Sequence, residues 1–125
     1  MVRHLNLLGA AAAAVTLALA GGPALADVSD YKVRDLLLPC VEGDNDSRGG
    51  QVMEMECEQY VSGFTDLYIR AGLDKKDNVC LPPVGNRADE VRWAFMRWAH
   101  DHFDERDMPA VDGLVATLKA RFKCQ

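Results

Sequence analysis

An acidic, glycine-rich stretch, DNDSRGGQVMEM, begins at Asp44 and has the residue types of a calcium-binding loop. Asp44 and Asp46 occupy the first and third positions of such a loop, and Gly49 occupies the sixth. The fifth position is Arg48, and the twelfth is Met55, where the loop requires a bidentate glutamate. We therefore interpret the stretch as a polar turn and predict no calcium site.

The four cysteines are the next candidates for chemistry: Cys40, Cys57, Cys80 and Cys124. A metal site is the alternative to disulfides, but the sequence has no C-x-x-C pair and no histidine at ligand spacing. An even number of cysteines favours two disulfides in a small domain that is exported, and residues 1–26, described below, predict export. With every cysteine in a bridge, no thiolate remains to act as a nucleophile.

The histidines and serines beyond the first 26 residues form no catalytic arrangement. His100 and His102 are two residues apart, so a helix points them to different faces. His102 lies on an apolar stripe, which is typical of a histidine in or beside a core. The remaining serines are Ser29, Ser47 and Ser62, and none lies in a nucleophile elbow. We predict that the protein is not an enzyme and uses no metal or cofactor.

Residues 1–26 have the pattern of a secretory signal peptide. A basic start precedes a short apolar run, Leu5–Ala20, which Gly-Gly-Pro23 breaks before a small-x-small cleavage site ending at Ala26. We predict cleavage after Ala26 and export to the periplasm. The mature domain then covers residues 27–125.

The mature chain is long enough for one domain, and such a domain buries roughly two-thirds of its unfolded surface. Loss of the arginine in the leader changes the formal net charge from −5 to −6. This charge argues against nucleic acid and anionic lipid as partners, and it would suit a basic protein partner. No later segment is apolar enough to cross a bilayer, so we expect no membrane association after cleavage.

Apolar residues at steps of three and four predict four helices and no strand, so the fold class is all-α. The first two helices cover about 28–38, ending before Pro39, and about 51–72, ending at Gly72. The third covers about 86–103 and starts from a cap at Asn86. The fourth begins near Pro109, a residue suited to a first turn. The inward stripe predicted for the second helix is Met53, Cys57, Tyr60, Val61, Phe64, Leu67, Tyr68 and Ala71.

The connections between these helices restrict the disulfide pairing, because short connections make neighbouring helices antiparallel. Cys40 ends the first helix and Cys57 lies in the early turns of the second, so both belong at one end of the bundle. Cys80 follows the far end of the second helix, and Cys124 closes the fourth helix at that same end. We predict Cys40–Cys57 and Cys80–Cys124 in a bundle of about four helices.

A helical stretch, CEQYVSGFTDLY, places Tyr60, Gly63 and Asp66 at intervals of three. Glycine in an exposed helix costs about 1 kcal/mol relative to alanine. We therefore expect another helix or loop to approach Gly63 closely. The three residues would then line the edge of the buried stripe and belong to the scaffold.

The order of several motifs in this chain resembles that of the type VI secretion amidase immunity protein family, whose members are called Tai-like and have a Rap-type immunity domain. These motifs are LLLPC, CEQYVSGFTDLY, VCLPP and the closing LKARFKC, and the resemblance covers essentially residues 33–124. The family usually has proline before the last cysteine, where this chain has Lys123.

This resemblance implies a small helical periplasmic protein that binds a peptidoglycan-degrading amidase and covers its active-site cleft, often as a homodimer. The alternative is a small disulfide-bonded periplasmic stress chaperone, which would expose apolar surface on acidification. Two bridges and a cysteine that closes the last helix favour a rigid binder.

The third helix carries candidate partner-binding residues. Trp93, Met96 and His100 fall on its outer face, away from the apolar stripe. Tryptophan and methionine in such a position suit an interface anchor. The alternative is that Trp93 packs under the loop 73–85.

That loop is a second candidate contact. It contains Lys75, Lys76, Pro82 and Pro83, and Cys80 ties it to the scaffold. A loop that is already ordered loses little entropy on binding and is suited to filling a cleft.

Overall fold

The computed structural model describes residues 27, 29–44 and 48–125. The predicted signal peptide lies outside the described residues, as does 45–47, the centre of the acidic turn. The helices are α1 (Val33–Glu42), α2 (Arg48–Arg70), α3 (Leu73–Lys76), α4 (Val84–Asp101) and α5 (Ala110–Arg121), with a 3-10 turn at Phe103–Glu105. In the described ranges only two isolated bridges occur and no strand, so the all-α prediction is confirmed.

The core lies where α1 and α2 pack on α4 and α5. Helix α1 contacts α2, α4 and α5, and α4 contacts both α2 and α5. The short α3 packs on α2, and its Leu73 is half-buried against the core. The buried residues of the core cluster are Val33, Leu36, Cys40, Cys57, Val61, Tyr68, Val79, Val91, Phe95, Trp98, Ala99, Ala110, Leu114 and Leu118.

Both predicted disulfides are present. The Cα atoms of Cys40 and Cys57 are 4.9 Å apart, and those of Cys80 and Cys124 are 5.0 Å apart. Cys40 and Cys57 are completely buried, whereas Cys80 is exposed and Cys124 is half-buried. The two bridges therefore differ in their access to solvent.

Helix α1 continues through Pro39, so the predicted end before Pro39 is wrong. Proline has no amide hydrogen to donate to the carbonyl four residues earlier, that of Asp35. The hydroxyl of Tyr31 donates to this carbonyl at 3.1 Å instead and shares its single hydrogen with Glu56 Oε1, which lies 3.4 Å away. Burial, followed by the negative charge of Glu56, raises the pKa of Tyr31 to about 12, so the hydroxyl keeps its proton at neutral pH. A side chain thus replaces the missing donor, and Cys40 lies inside the helix.

Backbone hydrogen bonds join the start of α1 to the start of α5. The Val33 amide donates to the Met108 carbonyl at 3.0 Å, and the Ala110 amide donates to the Tyr31 carbonyl at 2.9 Å. The first amides of a helix have no partner within that helix. These bonds satisfy two of them and place the two helix starts side by side.

The remaining helix boundaries follow local backbone chemistry. Gly72 has a φ of 72° just beyond α2, so the predicted end at this glycine is confirmed. The predicted cap at Asn86 is wrong, because α4 begins two residues earlier, directly after Pro83. Helix α5 begins directly after Pro109, close to the predicted start.

Three residues predicted on apolar stripes are exposed. Leu67 is 68 % exposed, and Ala71 is also on the surface. Helix α4 ends at Asp101, so His102 does not extend its stripe into the core. The His102 ring instead stacks on Trp98 with centroids 4.6 Å apart, and its Nδ1 lies 2.8 Å from the Trp98 carbonyl oxygen.

Arg92 of α4 is the one charged side chain buried in the described core, at 2 % exposure. Its Nε and Nη2 donate to the Cys40 carbonyl at 3.2 and 3.0 Å. Nη2 also donates to Asp44 Oδ1 at 2.7 Å, and Nη1 to Glu54 Oε1 at 3.3 Å. A Cβ on Gly43 would lie 2.9 Å from Nη2, so glycine lets the backbone pass beside the guanidinium. Arg92 thus joins α1, the following turn, α2 and α4.

We expect Arg92→Ala to lower the free energy of unfolding by about 3 kcal/mol, because it leaves the buried Cys40 carbonyl without a donor and opens a cavity. Urea denaturation measures the change. Arg97→Ala is the matched control on the same helix, since Arg97 is exposed, and we expect a change within about 0.5 kcal/mol. Equal losses in the two variants would contradict this role.

We expect dithiothreitol to reduce Cys80–Cys124 before Cys40–Cys57, because reduction requires access to a sulfur atom. Differential alkylation and mass spectrometry should find an intermediate that retains only Cys40–Cys57. In the chain-entropy model the first cleavage removes about 4 kcal/mol and the second about 3 kcal/mol, given separations of 44 and 17 residues. An intermediate that retains only Cys80–Cys124 would refute the expected order.

Candidate interaction surfaces

The candidate sites among the described residues are surfaces on the loop 73–85 and on α4. No three His, Cys, Asp or Glu side chains among them cluster as metal ligands would. Asp44, the first position of the calcium-like stretch, pairs with Arg92. His100 lies 3.2 Å from the neighbouring Asp101 carboxylate and faces solvent. No helix in these ranges combines the length and apolarity needed to cross a bilayer.

The segment 73–85, a predicted contact loop, is tied to the C-terminal end of the chain. The Cys80 amide donates to the Phe122 carbonyl at 2.7 Å, and the Cys124 amide donates to the Asn78 carbonyl at 2.9 Å. Asn78 has a φ of 56°, a left-handed conformation that asparagine tolerates. The backbone bonds and the disulfide between these two segments order the loop before any partner arrives.

A buried hydroxyl fixes the turn that follows α3. Tyr68 donates to Asp77 Oδ2 at 2.6 Å, and the Lys119 Nζ lies 3.4 Å from Asp77 Oδ1. The Tyr68 hydrogen bond, assisted by Lys119, holds the pKa of Asp77 below its usual value. Burial and the same carboxylate raise the pKa of Tyr68. Asp77 therefore stays ionised at neutral pH and joins α2, the loop and α5.

The predicted contact residues of this segment differ in exposure. Lys75, Lys76 and Pro83 face solvent. Pro82 is buried, and its carbonyl accepts a hydrogen bond from Arg87 Nε at 3.1 Å. The surface that the segment presents is therefore cationic at α3 and apolar at Pro83.

The predicted face of α4 does not form one continuous apolar surface. Trp93 is 48 % exposed, while Met96 packs partly against the core and His100 faces solvent. Trp93 lines a groove of about 220 Å3 between α4 and the end of α5, which we call the α4–α5 groove. Its lining is Glu90, Trp93, Ala94, Arg97, Arg121 and Phe122.

The loop 73–85 contributes no residue to this lining. Sequence reasoning missed both arginines of the groove. Arg97 could have been found, because it lies one turn after Trp93 on the same face. Arg121 reaches the groove only through the packing of α5 on α4.

The expectation that a neighbouring segment packs against Gly63 is wrong. A Cβ at Gly63 would meet no atom within 4 Å. Tyr60 is half-buried, with its ring centroid 5.1 Å from that of Tyr31, but Gly63 and Asp66 are exposed. Gly63 and Asp66, but not Tyr60, line a shallow cleft of about 390 Å3 along α2, which Met55 also borders. The low helix propensity of Gly63 is therefore not offset by close packing within the described chain.

One of three comparisons with known proteins found a match for this chain, and it identifies a protein family. A family model described as Rap1a immunity proteins matches residues 32–124. The match begins one residue before α1 and ends at the last cysteine, so it covers all five helices. No curated protein and no solved structure matches the chain.

We expect Gly63→Ala to raise the free energy of unfolding by about 0.5 to 1 kcal/mol, because alanine gains helix propensity and its methyl group meets open space. Gly113→Ala is the contrasting variant, since a Cβ there would lie 3.2 Å from Trp98 Cζ3 and closer still to Val33. This second change should destabilise the protein by overpacking. Urea denaturation of both variants checks the opposite signs, and a loss of stability in Gly63→Ala would contradict the open environment.

Proposed function

Because the chain belongs to the Rap1a immunity protein family, we propose that it binds and inhibits a peptidoglycan-degrading amidase effector of a type VI secretion system. The observation that carries this proposal is the family match over residues 32–124. Immunity proteins of this kind act on a toxic effector and perform no reaction of their own. The amidase as target is what the resemblance of the chain to the type VI secretion amidase immunity family implies.

The proposed site of action is the periplasm. Residues 1–26 would direct export, and cleavage after Ala26 would leave residues 27–125 as the working domain. The two disulfides support this location, because they persist in oxidising compartments. Peptidoglycan is attacked in that compartment, so an inhibitor must be present there.

Inhibition would result from covering the amidase cleft. The loop 73–85 is joined to the C-terminal segment by a disulfide and backbone hydrogen bonds, so little conformational entropy is lost when it binds. Lys75, Lys76 and Pro83 are its exposed predicted contacts. The exposed Trp93 provides a second anchor on α4. This rigid scaffold favours an inhibitor over a stress chaperone that opens on acidification.

Purified, oxidised 27–125 should abolish the activity of one member of a panel of type VI amidases at one equivalent. Release of peptidoglycan fragments measures the activity, and sedimentation of the complex reports whether one or two copies of the inhibitor bind. Protein that has been reduced and alkylated serves as the unfolded control and should not inhibit.

The same pair can be tested in cells. When the amidase is directed to the periplasm, the full-length chain should prevent lysis, and a chain lacking residues 1–26 should not. An amidase panel without any inhibited member, together with acid-dependent binding of unfolded clients, would replace this proposal with the chaperone function.

A further inference from the structure

The α4–α5 groove combines exposed aromatic surface with cationic side chains. Trp93 is half-exposed there, whereas Trp98 is buried in the core. Phe122, just beyond α5, contributes a second, half-buried ring to the lining. A partly exposed tryptophan in a concave site is typical of an interface anchor, because a partner can remove its large apolar surface from water.

The charges of the groove are not neutralised within the described chain. Arg92 and Lys119 each have a carboxylate partner, but Arg97 and Arg121 form no ion pair or hydrogen bond in the described ranges. Glu90 is the one anionic residue in the lining. Two unpaired arginines therefore border Trp93 in a protein whose formal net charge is −5.

The size and setting of the groove restrict what fits it. Its volume of about 220 Å3 is below the range of about 300 to 1,000 Å3 that drug-sized ligands occupy. One or two side chains of a protein segment suit it better. A long polyanion such as nucleic acid would be repelled by the overall negative charge.

We propose that the α4–α5 groove receives a segment of the effector in which an aspartate or glutamate adjoins an apolar side chain. The carboxylate pairs with Arg97 and Arg121, whose planar guanidinium groups match its geometry, and the apolar side chain covers Trp93. This inference rests on the proposed function and names the chemistry of the partner. Of the three predicted contacts on α4, it assigns binding to Trp93 and not to Met96 or His100.

The first experiment measures binding of the oxidised chain to the amidase that it inhibits, by titration calorimetry. Arg97→Glu and Arg121→Glu should each raise Kd at least tenfold, because like charges then face each other. Trp93→Ala should raise Kd by a similar factor. Arg70→Glu is the matched control, since Arg70 is an exposed arginine outside the groove, and its Kd should change less than threefold.

Circular dichroism and thermal unfolding establish that each variant is folded. A charge-swap pair, Arg97→Glu with a carboxylate-to-lysine change in the effector, should recover most of the lost affinity. Folded groove variants that bind as tightly as the wild type would overturn the inference and leave the proposed function intact.

A second experiment needs no effector. Phage-displayed random 12-residue peptides are selected on the oxidised chain and depleted on the Trp93→Ala, Arg97→Glu, Arg121→Glu variant. Peptides that survive should be enriched in aspartate or glutamate beside an apolar residue. Peptides without that enrichment, or none that distinguish the two proteins, would overturn the groove chemistry.

The two experiments separate the two failures. If the wild type inhibits no amidase, the proposed function fails, and the peptide selection alone decides the chemistry of the groove. If acidic peptides are recovered but the effector binds groove variants normally, the effector uses another surface and the inference is wrong.

Discussion

The guanidinium of Arg92 occupies the point where three helices of the bundle meet. Cys40 lies in the last turn of α1, and the final carbonyls of a helix have no amide partner within that helix. Arg92 of α4 supplies two donors to the Cys40 carbonyl and also binds carboxylates from the turn and from α2. A charge is tolerated in the core because each guanidinium nitrogen, Nε, Nη1 and Nη2, has a hydrogen-bond acceptor. The adjacent Cys40–Cys57 bridge then holds α1 and α2 around it.

The features that sequence analysis predicted depend on local periodicity and on the order of the helices. The disulfide pairing followed from antiparallel neighbours, and the end of α2 followed from the backbone freedom of Gly72. The errors arose where the surroundings of a residue, and not its own type or spacing, decide the outcome. Pro39 stays within α1 because Tyr31 replaces its missing donor. Gly63 has no close neighbour, and periodicity alone does not show whether a glycine faces a partner segment or solvent.

The candidate contacts were only partly predictable for the same reason. The pattern on α4 indicated Trp93, and the structure leaves it half-exposed. The neighbouring Arg121 comes from another helix, so no spacing rule connects the two residues. Pro82 was expected as a contact of the loop but is buried, and Arg87 Nε donates to its carbonyl.

The exposed bridge between Cys80 and Cys124 affects when, after synthesis, the protein is able to bind a partner. The Phe122 carbonyl binds the Cys80 amide, and the Phe122 ring lines the α4–α5 groove, so the bridge lies beside both candidate contacts. A chain newly made in a reducing cytosol lacks this covalent constraint, and its final segment is then held to the loop only by noncovalent contacts such as the two backbone hydrogen bonds. Under the proposed function, an inhibitor made in the same cell as its effector would then become able to bind it only after the effector had been made. The effector could leave the cytosol unblocked, while its inhibitor matures only after crossing the membrane.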